Sequence, residues 1–252
     1  MTEVEKMRSL LRWTAKIGLV SSAILSTWLS TSLPAWAIPR ADLLKMLETV
    51  PVFVLTDPDG APVVQNLRDD RGLVNVFLSP LTAEELLTEL RSQRPEVGAQ
   101  VQVSLISLEQ TYLFSEANND RGLFLSYIPT ETQQEYAQRV WRRQRQANQP
   151  EQFPGTPLFV ARVGPQQSYL SVQREGNETV VPFFFDPLRL EEVVQEFLRV
   201  NPAAEGTVSV EVVPLEGVIR TLETQNDPDL NRIELVPLRE ALDYINENAA
   251  SQ

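Results

Sequence analysis

A single spacing constrains this chain more than any feature of its composition. Val76-Phe-Leu-Ser79-Pro80-Leu81 is answered by Phe183-Phe-Phe-Asp186-Pro187-Leu188, and Glu84-Glu85-Leu86 by Glu191-Glu192-Val193. Pro95 is answered by Pro202 at the same distance along the chain (202 − 95 = 107). The run 101–108 falls on 208–215 without a slip of register. A fixed offset that carries helix caps, apolar positions and helix stops together indicates an internal duplication, so two look-alike halves are expected. No residue in the repeated block has the look of a catalytic group.

The local signals give each half the same order of elements. In the first, Pro39 opens a short helix carrying Leu43, Leu44 and Leu47, and 52–55 is an apolar strand followed by the turn Asp57-Pro58-Asp59-Gly60. Gly sixth and Glu twelfth would make that turn a calcium loop, but Pro62 and Arg68 stand there. A second turn, Asp69-Asp70-Arg71-Gly72, leads into a strand over 73–78. Ser79 then offers an N-cap oxygen while Pro80 fills a position that has no use for an N–H. The helix they start has the stripe Leu81, Leu86, Leu87 and Leu90. Strand 101–105, a short helix over 108–114, strand 123–128 and a helix carrying Tyr136, Ala137, Val140 and Trp141 complete the half. Residues 147–155, rich in Gln, Asn and Pro, read as a linker.

In the second half 157–160 repeats 51–54, 169–172 is the partner strand, and Glu175-Gly176-Asn177 turns into 179–185. Asn177-Glu178-Thr179 is formally a glycosylation acceptor, but it sits in this tight turn. Asp186-Pro187 repeats the cap, and Val193, Val194, Phe197 and Leu198 face inward. Strand 233–236 answers 125–128 one residue later (237 − 129 = 108). The expected fold is therefore α+β: two βββαβαβα repeats related by a pseudo-twofold axis, with mixed sheets flanked by helices. The copies run over 38–149 and 150–252 and together form one two-repeat domain.

Residues 1–37 read as an export signal. Lys6, Arg8, Arg12 and Lys16 precede an apolar core, and Ala35-Trp36-Ala37 has the small-x-small pattern of a cleavage site. Cleavage there competes with an uncleaved anchor, since the apolar stretch is long for a signal. The leader points to the general secretory route. Its loss removes four bases and two acids, taking the net charge from −12 to −14. Such a surface is a poor partner for nucleic acid, which needs clustered positive charge.

Absences exclude much chemistry. The chain has no His and no Cys, so it has neither an imidazole base nor a thiolate, and zinc would need carboxylates alone. After the leader the only lysine is Lys45, in a short helix outside the repeat. No catalytic residue, cofactor or metal is expected. What remains is surface. Phe77, Phe183, Phe184, Phe185 and Trp141 are candidates to line an apolar groove where the halves meet, although three consecutive aromatics must divide between two faces of a strand. Arg139, Arg142, Arg143 and Arg145 form the one basic cluster after the leader. They are either a solvated helix face or a docking patch for an acidic partner or lipid headgroups.

An ordered set of short motifs carries a family resemblance: Val50-Pro-Val-Phe53, Gly60-Ala-Pro62, Val76-Phe-Leu-Ser79, Val101-x-Val103 through Ser107-Leu108 to Tyr112, Tyr127-Ile128-Pro129 and Gly155-Thr-Pro157-Leu-Phe159. With them the chain resembles the Tic twenty-two family, named for a subunit of the translocon at the inner envelope membrane of chloroplasts. With its bacterial-type leader it looks like a cyanobacterial member. The resemblance implies an exported, non-enzymatic protein of the periplasm or thylakoid lumen. It implies a role in protein import and outer-membrane protein biogenesis, with chaperone-like binding of precursor polypeptides in apolar grooves. The partners implied are precursors and outer-membrane translocon or assembly proteins, with peripheral membrane contact possible. A docking module that bridges translocon components, with no affinity for unfolded chains, is the alternative.

Overall fold

Alternating apolar runs cut by Pro and Gly build two mixed sheets, each wrapped by helices. The computed structural model describes residues 38–67, 71–174, 176, 178–225 and 227–250. The expected leader with Ala35 and Ala37, Asp69-Asp70, Glu175 and Asn177 lie outside the described residues.

The first sheet contains β1 (Pro51–Thr56), β2 (Gln65–Asn66), β3 (Gly72–Phe77), β4 (Gln102–Ser107) and β5 (Leu123–Ile128). β1 lies between β3 and β4, antiparallel to both, and β5 pairs with β3 in parallel. The second contains β6 (Pro157–Val163), β7 (Ser168–Tyr169), β8 (Val172–Gln173), β9 (Thr179–Phe184), β10 (Ser209–Pro214) and β11 (Ile233–Val236). β6 lies between β9 and β10, antiparallel to both, and β11 pairs with β9 in parallel. Strand order and sense are thus the same in both halves. Registers agree too: Phe53 stands opposite Phe77 as Phe159 stands opposite Phe184, and Pro51 opposite Ser107 as Pro157 opposite Pro214. The strand expected over 169–172 is split, with β7 pairing to β6 and β8 to β9.

The helices in chain order are α1 (Arg40–Glu48), α2 (Pro80–Gln93), the single turn α3 (Pro95–Gly98), α4 (Leu108–Asn118), α5 (Glu131–Gln144), α6 (Pro187–Val200), α7 (Leu215–Thr224) and α8 (Arg239–Ala250). Their starts follow the sequence. Ser79 Oγ accepts from the N–H groups of Leu81 and Thr82 at 3.2 and 3.4 Å, and Asp186 Oδ1 accepts from Leu188 and Arg189 at 2.9 and 3.3 Å. Ser107 with Gln110, and Thr130 with Gln133, close reciprocal capping boxes. One expected stripe position is corrected. Leu81 is 56% exposed, as is its counterpart Leu188 at 55%, because Pro80, Ala83 and Leu87 define the inward line of α2 and Leu81 lies a residue off it.

Order along the chain and packing in space part company at the closing helices. α5, which ends the first half, packs on β6 and β10 of the second sheet. α8, which ends the second half, packs on β1 and α2 of the first. Two aromatic pairs mark the exchange: Tyr136 meets Phe159 edge-on at 5.2 Å and 81°, and Tyr244 meets Phe53 at 5.2 Å and 84°. The linker makes this possible by folding back on α5. Trp141 Nε1 donates to the Pro150 carbonyl at 3.0 Å, and Gln138 binds the backbone of Glu151 and Phe153 at 2.7 and 3.0 Å, so the chain enters β6 beside the helix it has just left.

The core has two parts. On one face of each sheet Val52 and Val54 share a central cluster with Leu158, Val160, Phe183 and Phe185, and with Leu215 and Leu222 of α7. On the outer face of the second sheet Phe159 and Phe184 pack with Leu190, Val193 and Phe197 of α6 and with α5. Each fully buried Phe contributes about 1.5–3 kcal/mol, which matters in a chain with no Cys to crosslink. Among the described residues every buried side-chain nitrogen and oxygen has a hydrogen-bond partner.

Candidate functional site

The five residues expected to line an apolar groove are core residues. Phe77, Phe183, Phe184, Phe185 and Trp141 are all buried, at 7% exposure or less. Pleating sends Phe183 and Phe185 to the central cluster and Phe184 to the outer one, while Trp141 packs edge-on against Phe153 at 5.5 Å. Phe183 and Phe184 belong to the second sheet with Phe185 directly after them, Phe77 to the first and Trp141 to α5, and all five are packed into the core clusters.

An apolar hollow lies elsewhere, on the inner face of the first sheet. It is a cavity of about 330 Å³ floored by Val54, Val74, Val76, Ile106 and Leu125, with Phe114 of α4 as one wall. Gly60 and Pro62 of the first hairpin, together with Thr56, Ser104, Gln110 and Thr111, form the rest of its lining. The floor follows from strand pairing. Val54 stands opposite both Val76 and Ser104, and Val74 opposite Leu125, so these side chains project from one face. The polar groups around it are already engaged. Thr56 Oγ1 and Ser104 Oγ share a 2.6 Å hydrogen bond, and Thr111 Oγ1 and the Tyr127 hydroxyl share one of 2.9 Å. Burial pushes the Tyr127 phenol above its ordinary range.

The same place in the second half is filled. Register equates Thr56 with Arg162, Pro62 with Tyr169, Val76 with Phe183 and Ser104 with Glu211. Where the first half has two short hydroxyls, the second has an Arg162–Glu211 ion pair. The Arg162 guanidinium lies 4.1 Å over the Tyr169 ring and donates to its hydroxyl at 2.9 Å, while Tyr169 meets Phe183 at 5.8 Å. The Glu211 hydrogen bond raises the Arg162 guanidinium, and burial raises the Tyr169 phenol. Four larger side chains stand at matched positions of the second half, while the hollow's Gln110 and Phe114 are matched there by the smaller Gly217 and Thr221. Composition and motifs gave no sign of the hollow. Setting the halves side by side, at an offset of 106 for β1 (162 − 56) and 107 elsewhere, would have shown these four small-for-large exchanges.

The basic cluster lies on a second concavity. Between α5 and residues 151–157 runs a cleft of about 980 Å³ lined by Arg139, Arg142 and Arg145, with Glu135 and Glu151 also in its wall. Arg143 is exposed on the same helix but does not line the cleft. Arg139 stacks over Tyr136 at 5.0 Å. Among the described residues, none of these four arginines forms an ion pair.

The hollow has no ionisable group in its lining, and the described residues contain no cluster of carboxylates that could hold a metal ion. Apolar contact is what such a hollow can offer. None of the described helices is long and apolar enough to cross a membrane.

Comparison with known proteins bears on the whole described fold. The model of the Tic22-like family matches residues 6–246. A solved structure described as Anabaena Tic22 (protein transport) superimposes with a TM-score of 0.74 at 23% identity, covering 83% of this chain and 97% of that one. Tic22 from Plasmodium falciparum does so with a TM-score of 0.65 at 17% identity, covering 83% and 98%. No curated protein sequence matches the chain.

Proposed function

Because the chain belongs to the Tic22-like family, we propose that it is a non-enzymatic protein-transport factor that shields apolar segments of precursor polypeptides in the hollow of its first sheet. The observation that carries this reading is the open hollow itself. Its volume of about 330 Å³ falls at the lower end of small-ligand pockets, about 300–1,000 Å³, and suits apolar side chains of an extended chain. Burying one such side chain is worth about 1.5–3 kcal/mol, which is weak enough for release and useful when several follow one another. The name of the Anabaena relative, with its mention of protein transport, supports the same direction.

The proposal extends to place and origin. The basic, apolar, small-x-small start of the chain supports export to the periplasm or thylakoid lumen with cleavage after Ala37; a part in outer-membrane protein biogenesis is what the family resemblance implies. Matched strand order and register support descent of the halves over 38–149 and 150–252 from one copied unit.

Aggregation of an unfolded outer-membrane protein, followed by light scattering, tests the reading. The chain from Ile38 onward is expected to suppress more than half of the signal at equimolar ratio. Transplanting the second half's plug by Thr56→Arg, Val76→Phe and Ser104→Glu together should abolish most of that protection while circular dichroism stays unchanged. Equal protection by the plugged variant, or none by the parent, would overturn it.

A further inference from the structure

We infer that the cleft between α5 and residues 151–157 is a docking site for an extended acidic segment of a protein partner. The inference is independent of what the apolar hollow holds.

Three observations carry it. The chain has 34 acidic and 22 basic residues, so carboxylates are plentiful. Arg40, Arg162, Arg174, Arg189, Arg199, Arg232 and Arg239 all take one as an ion-pair partner. Among the described residues Arg139, Arg142 and Arg145 do not, and neither do Arg71, Arg91, Arg94, Arg121, Arg143 and Arg220; what sets the three apart is that they line one cleft together, with Glu135 and Glu151 in its wall. Three guanidinium groups are thus left available in one concavity of an otherwise acidic protein.

Their spacing fits a chain. Arg139, Arg142 and Arg145 follow one another at every third residue along α5 and its C-cap, a span of about 9 Å at 1.5 Å per residue. An extended segment rising about 3.3 Å per residue covers that distance in three to four residues, and its alternate side chains face one way. Two carboxylates on such a segment can each meet a guanidinium fork in the bidentate geometry that arginine favours.

Shape argues against a lipid surface as occupant. The arginines line a cleft that they share with Glu135 and Glu151, whereas a headgroup layer is flat and uniformly anionic. Helix-dipole stabilisation favours basic residues in the last turn of α5, where Arg142 and Arg143 both lie, but it acts equally on both and does not gather Arg139, Arg142 and Arg145 in one cleft.

The test is binding of a fluorescein-labelled peptide of alternating glutamate and serine, eight residues long, to the full-length chain, read by anisotropy at 50 mM salt. Arg142→Glu with Arg145→Glu is expected to weaken binding at least tenfold. Arg121→Glu with Arg143→Glu makes the same change in net charge at exposed arginines outside the cleft and is expected to alter binding less than twofold. Equal losses in both variants would mean unspecific attraction and overturn the proposal, as would absence of peptide binding. Sedimentation with vesicles of 30% phosphatidylserine separates the other source of negative charge. Vesicle binding that depends on Arg142 and Arg145 more strongly than peptide binding does would replace the partner segment by a lipid surface. Thermal unfolding of both variants checks that each remains folded.

Discussion

The two halves of the molecule share strand order, register and helix caps, yet they differ at the places where each sheet meets the outside. Thr56, Pro62, Val76 and Ser104 leave a hollow in the first half; Arg162, Tyr169, Phe183 and Glu211 close it in the second. The outer edge of β10 is covered as well. Gln144 donates to the Val212 carbonyl at 2.6 Å and accepts from its N–H at 3.0 Å, so one side-chain amide occupies the edge that an unpaired strand would present. Pairing and capping therefore hold the architecture, while a few side chains of different size decide which half offers a cavity. One half serves as a filled reference for the other.

The exchange of closing helices gives this comparison its largest consequence. If each sheet needs the other half's helix, residues 38–149 alone and 150–252 alone should show no cooperative unfolding transition, although the chain from Ile38 onward shows one. Circular dichroism with thermal melts checks this, and an independently folded half would break the comparison. A smaller effect tests where the halves differ in polar contacts. Gln133 of α5 is fully buried and donates to the Phe185 carbonyl at 2.9 Å, whereas the matching position in α8 is Ala241. Gln133→Leu leaves that carbonyl without its donor and also removes the acceptor for the Thr130 N–H in the capping box, and should cost about 1–3 kcal/mol in denaturant unfolding.

The smallest effect concerns Arg239 of α8, which meets Glu192 of α6 at 2.6 Å. The Arg239 hydrogen bond holds the Glu192 carboxyl below its ordinary range. A carboxyl with a lowered folded-state pKa adds stability that is complete above its unfolded-state value and disappears as the pH falls through the lowered one. Both side chains are about half exposed, so Arg239→Gln should cost no more than about 1 kcal/mol at pH 7 and nothing near pH 2. A loss that persists at pH 2 would assign the residue a packing role.

Much of the fold could be read in the residues because the deciding interactions are local. Ser79-Pro80 and Asp186-Pro187 announce their helices, and the offset of 107 carries strand order from one half to the other. Parallel β5 and β11 follow from helix-linked strands having to join the same sheet. The exchange of α5 and α8 could not be read, since the apolar stripe of Tyr136, Ala137, Val140 and Trp141 fits either sheet equally well. The candidate groove failed for a related reason. Phe77 and Phe183 to Phe185 are conspicuous as a run of aromatics, but their burial depends on helices distant in sequence. The actual hollow arises from smallness at Thr56, Val76 and Ser104, which no motif advertises. The cleft was half legible: the arginine cluster was plain, while its inclusion of Arg145 and omission of Arg143 depend on where residues 151–157 fold back.

Double-mutant cycles across the aromatic pairs test the exchanged closing helices most directly, with stabilities taken from denaturant unfolding of the chain from Ile38 onward. Phe53 with Tyr244, and Phe159 with Tyr136, should each show a coupling of about 0.5–1.5 kcal/mol, while Phe53 with Tyr136 and Phe159 with Tyr244 should couple by less than about 0.5 kcal/mol. Coupling found within each half instead of across them would show that every sheet is closed by its own helix and would contradict the architecture described.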